Sequence, residues 1–319
     1  MIAASEAWAS ASSRAFDLTI WLYLGAMVLS FAYLAVRNDR PRIAARVVAV
    51  AGAVANLTAI VARGVAAGRV PWGNMFEYST VLAFLVVAGA LILVEGIGKL
   101  KTLTGFALMF AVLTLAIAAL FFPVAPGPLQ PALNSYWIKI HVVAAITGSS
   151  LFAIGGIATI LFLVKDRSER RALADLRGST PPPIMGGAID LDAPHDLLPD
   201  PEDPGVAAAP RRGILPSAAI LDRIAYRAIA FAFPIWTFAV IAGAIWAQDA
   251  WGRYWGWDPK ETWSFVTWTI FAGYLHARST AGWKGRRAAW IAVAGFVSLL
   301  ITYYAVNLWI VGLHSYKLG

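Results

Sequence analysis

Within the thirteen positions 251–263, the chain reads Trp-Gly-Arg-Tyr-Trp-Gly-Trp-Asp-Pro-Lys-Glu-Thr-Trp. Four tryptophans, a tyrosine, two glycines and four charged groups share that stretch. Flat rings beside glycine-thinned backbone suit a large, flat, apolar ligand with polar edges, and a porphyrin fits that description. An interfacial aromatic belt accounts for the same composition, because Trp and Tyr settle at headgroup level, apolar with one polar handle. The other residues with ligating chemistry are four histidines, His141, His195, His276 and His314. Imidazole is a common axial ligand of haem iron. There is no cysteine, so the chain itself forms no disulfide and offers no thiolate to a metal.

These residues must be positioned by membrane helices. Of 319 residues, 59% are hydrophobic and 14% charged, against about 25% charged in soluble chains. Apolar runs of about 20 residues recur, the length that crosses a bilayer as a helix. The pattern predicts an all-α, polytopic helical bundle of about eight transmembrane helices, near 17–36, 43–65, 78–95, 103–122, 137–164, 224–248, 262–277 and 288–311. Residues 1–16 are Ala/Ser-rich and lack the basic start of a signal peptide. Three regions follow: a membrane region over 1–164, a cytoplasmic and largely disordered linker over 165–222, and a second membrane region over 223–319. The linker opens charged and becomes rich in Pro, Gly, Ala and Asp, a composition that buries too little apolar surface to offset chain entropy. Pro234 interrupts the sixth span, where it kinks the helix or is accommodated by neighbours.

Charge orients the bundle. With both termini external, 19 of the 26 Lys and Arg fall on one face and 7 on the other, which makes the richer face cytoplasmic. The net charge of +8 is therefore loop asymmetry about a bilayer and not a nucleic-acid footprint. His141, four residues into the fifth span, and His314, beyond the eighth, then lie at the external level of the tryptophan loop. His195 falls in the linker and reads as a solvated residue. His276 lies 13 residues past Trp263, roughly 20 Å deeper along a helix. It is either a snorkelling polar residue near a helix end or a ligand in an inner site. Asp258, Pro259 and Glu261 have the spacing of a helix start: aspartate at the N-cap, proline at the first helical position and a capping-box glutamate.

The 251–263 block looks like the tryptophan-rich WWD signature of haem-handling proteins. Together with Tyr-Leu-His-Ala-Arg at 274–278, Gly-Leu-His-Ser-Tyr at 312–316 and Pro-Trp-Gly-Asn-Met-Phe-Glu at 71–77, it resembles the CcsA (ResC) family of system II cytochrome c biogenesis. The resemblance implies haem b as a transported substrate, with His141 and His314 as external iron ligands and His276 at an inner haem site. It implies a binding surface formed by Trp251, Gly252, Tyr254, Trp255, Trp257, Asp258, Pro259, Lys260, Glu261 and Trp263. Apart from the resemblance, the charges of Lys260 and Arg253 make either one a candidate partner for the propionates. No catalytic residue is assigned. The expected partners are haem, an apocytochrome c with a Cys-x-x-Cys-His motif and a CcsB (ResB) membrane subunit, with no nucleic acid. Together they would form a holocytochrome c synthase in a cell (plasma) or thylakoid membrane, with attachment on the external face. Two other readings remain: a system I haem handler of the CcmC or CcmF kind, and a membrane electron carrier with permanent haem b.

Overall fold

The computed structural model describes residues 2–36, 38–97, 102–129, 133–179, 215–310 and 312. Among the described residues there are eight long helices: α1 Ile2–Val36, α2 Asp39–Ala67, α3 Met75–Gly89, α4 Thr104–Phe121, α5 Tyr136–Ser179, α6 Ala218–Trp251, α7 Pro259–Ser279 and α8 Arg286–Leu300. Two of them end in wider π-helical turns, Ala90–Ile97 after α3 and Ile301–Ala305 after α8, the latter followed by a last turn at Val306–Leu308. Seven helices among the described residues are long and apolar enough to cross a membrane. The chain is an all-α, multi-pass membrane protein.

The expected eighth crossing element, α7, is not in that set. Its 21 residues span about 31 Å, but Lys, Glu, Thr, Ser, His and Arg dilute its apolarity. Several of its polar groups are met within the bundle, as hydrocarbon surroundings require. Thr267 hydrogen-bonds with Ser298 and Thr302 of α8 and its π-helical extension. Trp268 donates to Thr237 of α6, and Trp236 of α6 donates to the Ser264 carbonyl. Composition undercounts this helix because its neighbours meet its polar demand.

The start of the proposed linker also differs from expectation. Helix α5 runs on to Ser179 instead of stopping near 164. The charges that looked like the end of a span stabilise its continuation, through Lys165–Glu169 and Asp166–Arg170 pairs one turn apart. At the other boundary α6 begins at Ala218, before 223. Between these helices, residues 180–214, including His195, lie outside the described residues. Pro234 is accommodated inside α6 without ending it.

Two apolar cores organise the bundle. One joins α1 and α2 to faces of α3 and α4, around Tyr23, Ala49, Val87, Leu108 and Leu115. The larger one joins α3 and α4 to α5–α8, where Phe152 and Phe271 stack at 3.9 Å. Helices α3 and α4 contribute to both and couple the two halves.

Candidate functional site

Three connections meet at one end of the bundle, here called the loop end: 68–74, the described residues 122–129 and 133–135, and 252–258. Between them and the tops of α5, α6 and α8 lies a cavity of about 800 Å³, in the upper part of the range for cofactor sites. Its wall is mostly apolar and aromatic, with Trp72, Tyr78, Trp236, Trp246, Tyr254 and Trp255 contributing rings. A few polar groups converge on it, notably His141, Lys260, Glu261 and Asn307.

His141 projects from α5 towards α6. Its Nδ1 lies 2.7 Å from the Ala239 carbonyl. A carbonyl only accepts, so Nδ1 carries the proton and a neutral ring holds its lone pair on Nε2. The ring reaches that carbonyl because the next turn of α6 presents Gly243. A Cβ at Gly243 would stand 2.7 Å from Nδ1 and 2.8 Å from Cε1. Sequence and geometry thus agree on one point: the α6 surface is thinned where the imidazole crosses it.

The rim is held by a buried ionic cluster. Glu77, with a fully buried side chain, accepts from Arg63 Nε at 2.9 Å, from Arg69 Nη1 at 2.8 Å and from the Gly73 amide at 2.7 Å. The same arginines donate across to the opposite loop, Arg63 to the Val124 carbonyl at 2.5 Å and Arg69 to the Gly127 carbonyl at 2.9 Å. One carboxylate therefore ties α2, the start of α3 and two wall-forming connections together. Asn74 caps α3 by accepting from the Glu77 amide, which fixes the carboxylate's point of departure.

The tryptophan-rich loop divides its labour. Gly252 ends α6 with φ +70°, a left-handed conformation suited to glycine. Trp251 packs edge-on against buried Trp246, 4.8 Å between ring centres, and so backs the wall from behind. Trp257 is 68% exposed and has φ +57°, the turn that swings the chain into α7. Its ring meets Trp255 and Phe265 edge-on. The expected helix start is present: Asp258 accepts from the Lys260 amide, Pro259 opens α7, and Glu261 Oε2 accepts from the Asp258 and Gly256 amides. Of the loop residues singled out in the sequence, Tyr254, Trp255, Lys260 and Glu261 line the cavity, whereas Trp251, Gly252, Trp257, Asp258, Pro259 and Trp263 are not among its lining residues.

The histidines separate. His141 lines the cavity. His276 stands on the exposed face of α7 near its last turn, with Nδ1 3.4 Å from Thr280 Oγ1, and does not line it. His314 lies outside the described residues, but Gly312 packs onto the start of α7, where an added Cβ would be 2.5 Å from Asp258 Oδ2. The wall also holds residues that sequence reasoning passed over. Trp72–Met75 carried a signal, since they belong to the noted 71–77 block. Gly243 and Asn307 offered only a small residue and a lone amide within apolar helices.

A family model described as cytochrome C assembly protein matches residues 72–314. The cytochrome c biogenesis protein CcsA of Gloeobacter violaceus is 38% identical over 277 residues, covering 81% of each chain. CcsA of Synechocystis is 36% identical over 292 residues, covering 83% of this chain and 86% of its own. The chain belongs to the CcsA family. Among solved structures, a cytochrome c haem lyase, CcmF, shares the fold with a TM-score of 0.61 at 15% identity. The match covers 93% of this chain but 46% of CcmF, so the chain spans about half the length of that structure.

Proposed function

We propose that the protein carries haem to the external face of a plasma or thylakoid membrane and presents it, reduced, for attachment to an apocytochrome c. The observation that carries this reading is His141 in the cavity wall, its ring oriented by Ala239 and seated over Gly243, in a space that Trp255 of the loop also lines. A flat ligand fits a space of about 800 Å³ with aromatic walls and few polar groups. Protonation at Nδ1 leaves Nε2 as the ligating atom, the arrangement by which outer hydrogen bonds set histidine for a metal. His314 supplies the second external ligand; Gly312, two positions before it in sequence, packs on Asp258 at the loop end. Haem b is the transported substrate.

Attachment adds each thiol of a Cys-x-x-Cys-His peptide across a haem vinyl group, forming one C–S and one C–H bond without net oxidation. The peptide supplies both thiols, so the absence of cysteine here is no obstacle. This chain's residues hold and orient the macrocycle and exclude water. A CcsB (ResB) subunit completes the synthase, and His276 faces it as one ligand of an inner haem site. The family membership and the haem lyase fold support this reading over a permanent electron carrier.

The test is haem content of the protein purified with a CcsB subunit, for His141→Ala, His314→Ala and His276→Ala. The first two are expected to lose the external haem, with recovery in added imidazole. The third loses only the inner one. Normal maturation of a reporter cytochrome c by all three variants would overturn the assignment.

A further inference from the structure

Lys260 carries a charge that no carboxylate among the described residues meets in an ion pair. Its ammonium lies in the cavity wall, 2.9 Å from Asn307 Oδ1 and 3.8 Å from Met75 Sδ. No carboxylate among the described residues comes within ion-pair distance of it. Asp258, two residues earlier, favours the ammonium through space but makes no contact with it, being engaged at the N-cap of α7. Glu261 directs Oε2 to the Gly256 and Asp258 amides. A cation held in a largely apolar wall by an amide and a thioether is costly unless an anion joins it.

Asn307 is built to aim that cation. Helix α8 widens to a π-helix at Ile301–Ala305, and such turns displace carbonyls from their regular partners. Asn307 Nδ2 donates to the Tyr303 carbonyl at 2.6 Å. With Nδ2 so placed, Oδ1 faces Lys260, and no flipped amide would satisfy both a carbonyl and an ammonium. Thr302, Tyr303 and Asn307 all line the cavity beside the lysine.

Arg253, the other cation of the loop, is disposed differently. Its guanidinium folds across Gly256, lies 5.9 Å from the Trp251 ring centre and 3.7 Å from Glu261 Oε2, and is not among the cavity's lining residues. It braces the loop from outside the space.

We propose that Lys260, positioned by Asn307, is the subsite of the cavity that binds a carboxylate of the flat ligand, and that Arg253 is not. The identification of that ligand as haem rests on the function proposed above, whereas the subsite follows from the cavity, the ammonium and the amide. Binding an anion there gives the ammonium a charged partner and fixes which edge of the macrocycle faces α7 and α8. The opposite edge is left towards the remaining walls.

Metal-free protoporphyrin IX and its dimethyl ester separate this subsite from iron ligation. Binding to the full chain in lipid nanodiscs is read from porphyrin fluorescence, with iron protoporphyrin IX run in parallel. The wild type is expected to favour the diacid over the ester by about tenfold or more, the scale of one charge-assisted hydrogen bond. Lys260→Met abolishes that preference, bringing the affinity for the diacid down to that for the ester. Asn307→Asp abolishes it too, by setting a carboxylate against the ammonium. Arg253→Gln preserves it. A preference that survives Lys260→Met, or disappears in Arg253→Gln, overturns the subsite. If haem binds in a His141-dependent way but diacid and ester bind equally, the subsite fails and the haem reading stands. If neither porphyrin nor haem binds the wild type, both fail.

Discussion

His141 and His276 sit on helices of the same bundle in opposite circumstances. At the loop end, α6 offers His141 a carbonyl at Ala239 and a gap at Gly243, and a cavity opens beside it. At the far end, His276 stands on an exposed stripe of α7 that includes Phe265, Thr269 and Gly273, and a Cβ at Gly273 would meet nothing within 4 Å. Its neighbours there are engaged with one another: Arg278 forms a two-pronged pair with Asp222, at 2.6 and 2.9 Å, and lies over Tyr226. One histidine belongs to a space that this chain encloses. The other belongs to a surface that this chain leaves open. On the function proposed above, that open face of α7 is where a second membrane subunit would complete the inner site.

The contrast is most exposed to test at the rim, because among the described residues the loop end is where a buried ionic cluster can be lost. Glu77→Ala leaves Arg63 and Arg69 without their shared carboxylate in a region sealed from solvent. Removing one partner of a buried pair costs about 3–5 kcal/mol. The expected result is a large fall in thermal midpoint for the protein in detergent, followed by tryptophan fluorescence, together with loss of haem from the external site. Asp222→Ala at the far end is the comparison: its pair is partly exposed, with side-chain accessibilities of 10% and 20%, and its loss leaves the external haem in place. Equal damage to external haem from both variants would erase the distinction between a rim cluster and a helix tie.

Much of this was legible before the fold, and the illegible part has a physical cause. Local rules act on neighbours in sequence, so the Asp258–Pro259–Glu261 helix start and the seven apolar helices could be read directly. The extension of α5 to Ser179 was missed because charge was taken as a stop signal, when pairs four residues apart stabilise a helix in water. Tryptophan density marked the loop but not its facing. Trp255 turns to the cavity, Trp251 braces it from behind through Trp246, and Trp257 makes the turn. Gly243 and Asn307 were silent because each matters only through a residue from another helix, His141 or Lys260. Contact between helices is what one-dimensional patterning lacks.

A smaller effect tests the seating of His141 itself. Gly243→Ala places a methyl group within 2.8 Å of two ring atoms, so the imidazole must leave the Ala239 carbonyl or α6 must move away. Overpacking of this kind costs about 1–3 kcal/mol. Loss of the orienting hydrogen bond is expected to weaken haem retention about 10- to 100-fold, as for other outer-shell partners of metal-ligating histidine. Gly273→Ala, on the open face near His276, is the matched control and leaves external haem unchanged. Haem titration of both variants checks the pair. Indistinguishable affinities would show that the Gly243 gap does not seat the imidazole.

His276→Ala should have the least effect on this chain alone, and that is its value. The ring makes one side-chain contact among the described residues, at 3.4 Å to an exposed threonine, so its removal costs the isolated fold little. Stability and external haem binding are expected to match the wild type. With a CcsB subunit present, the same variant is expected to lose inner haem and to lower cytochrome c maturation. An effect that appears only in the complex places the cost at the surface between chains. An equal loss of external haem by the isolated variant would instead couple the two ends within this bundle, through α7, whose first turn carries Lys260 and whose last carries His276.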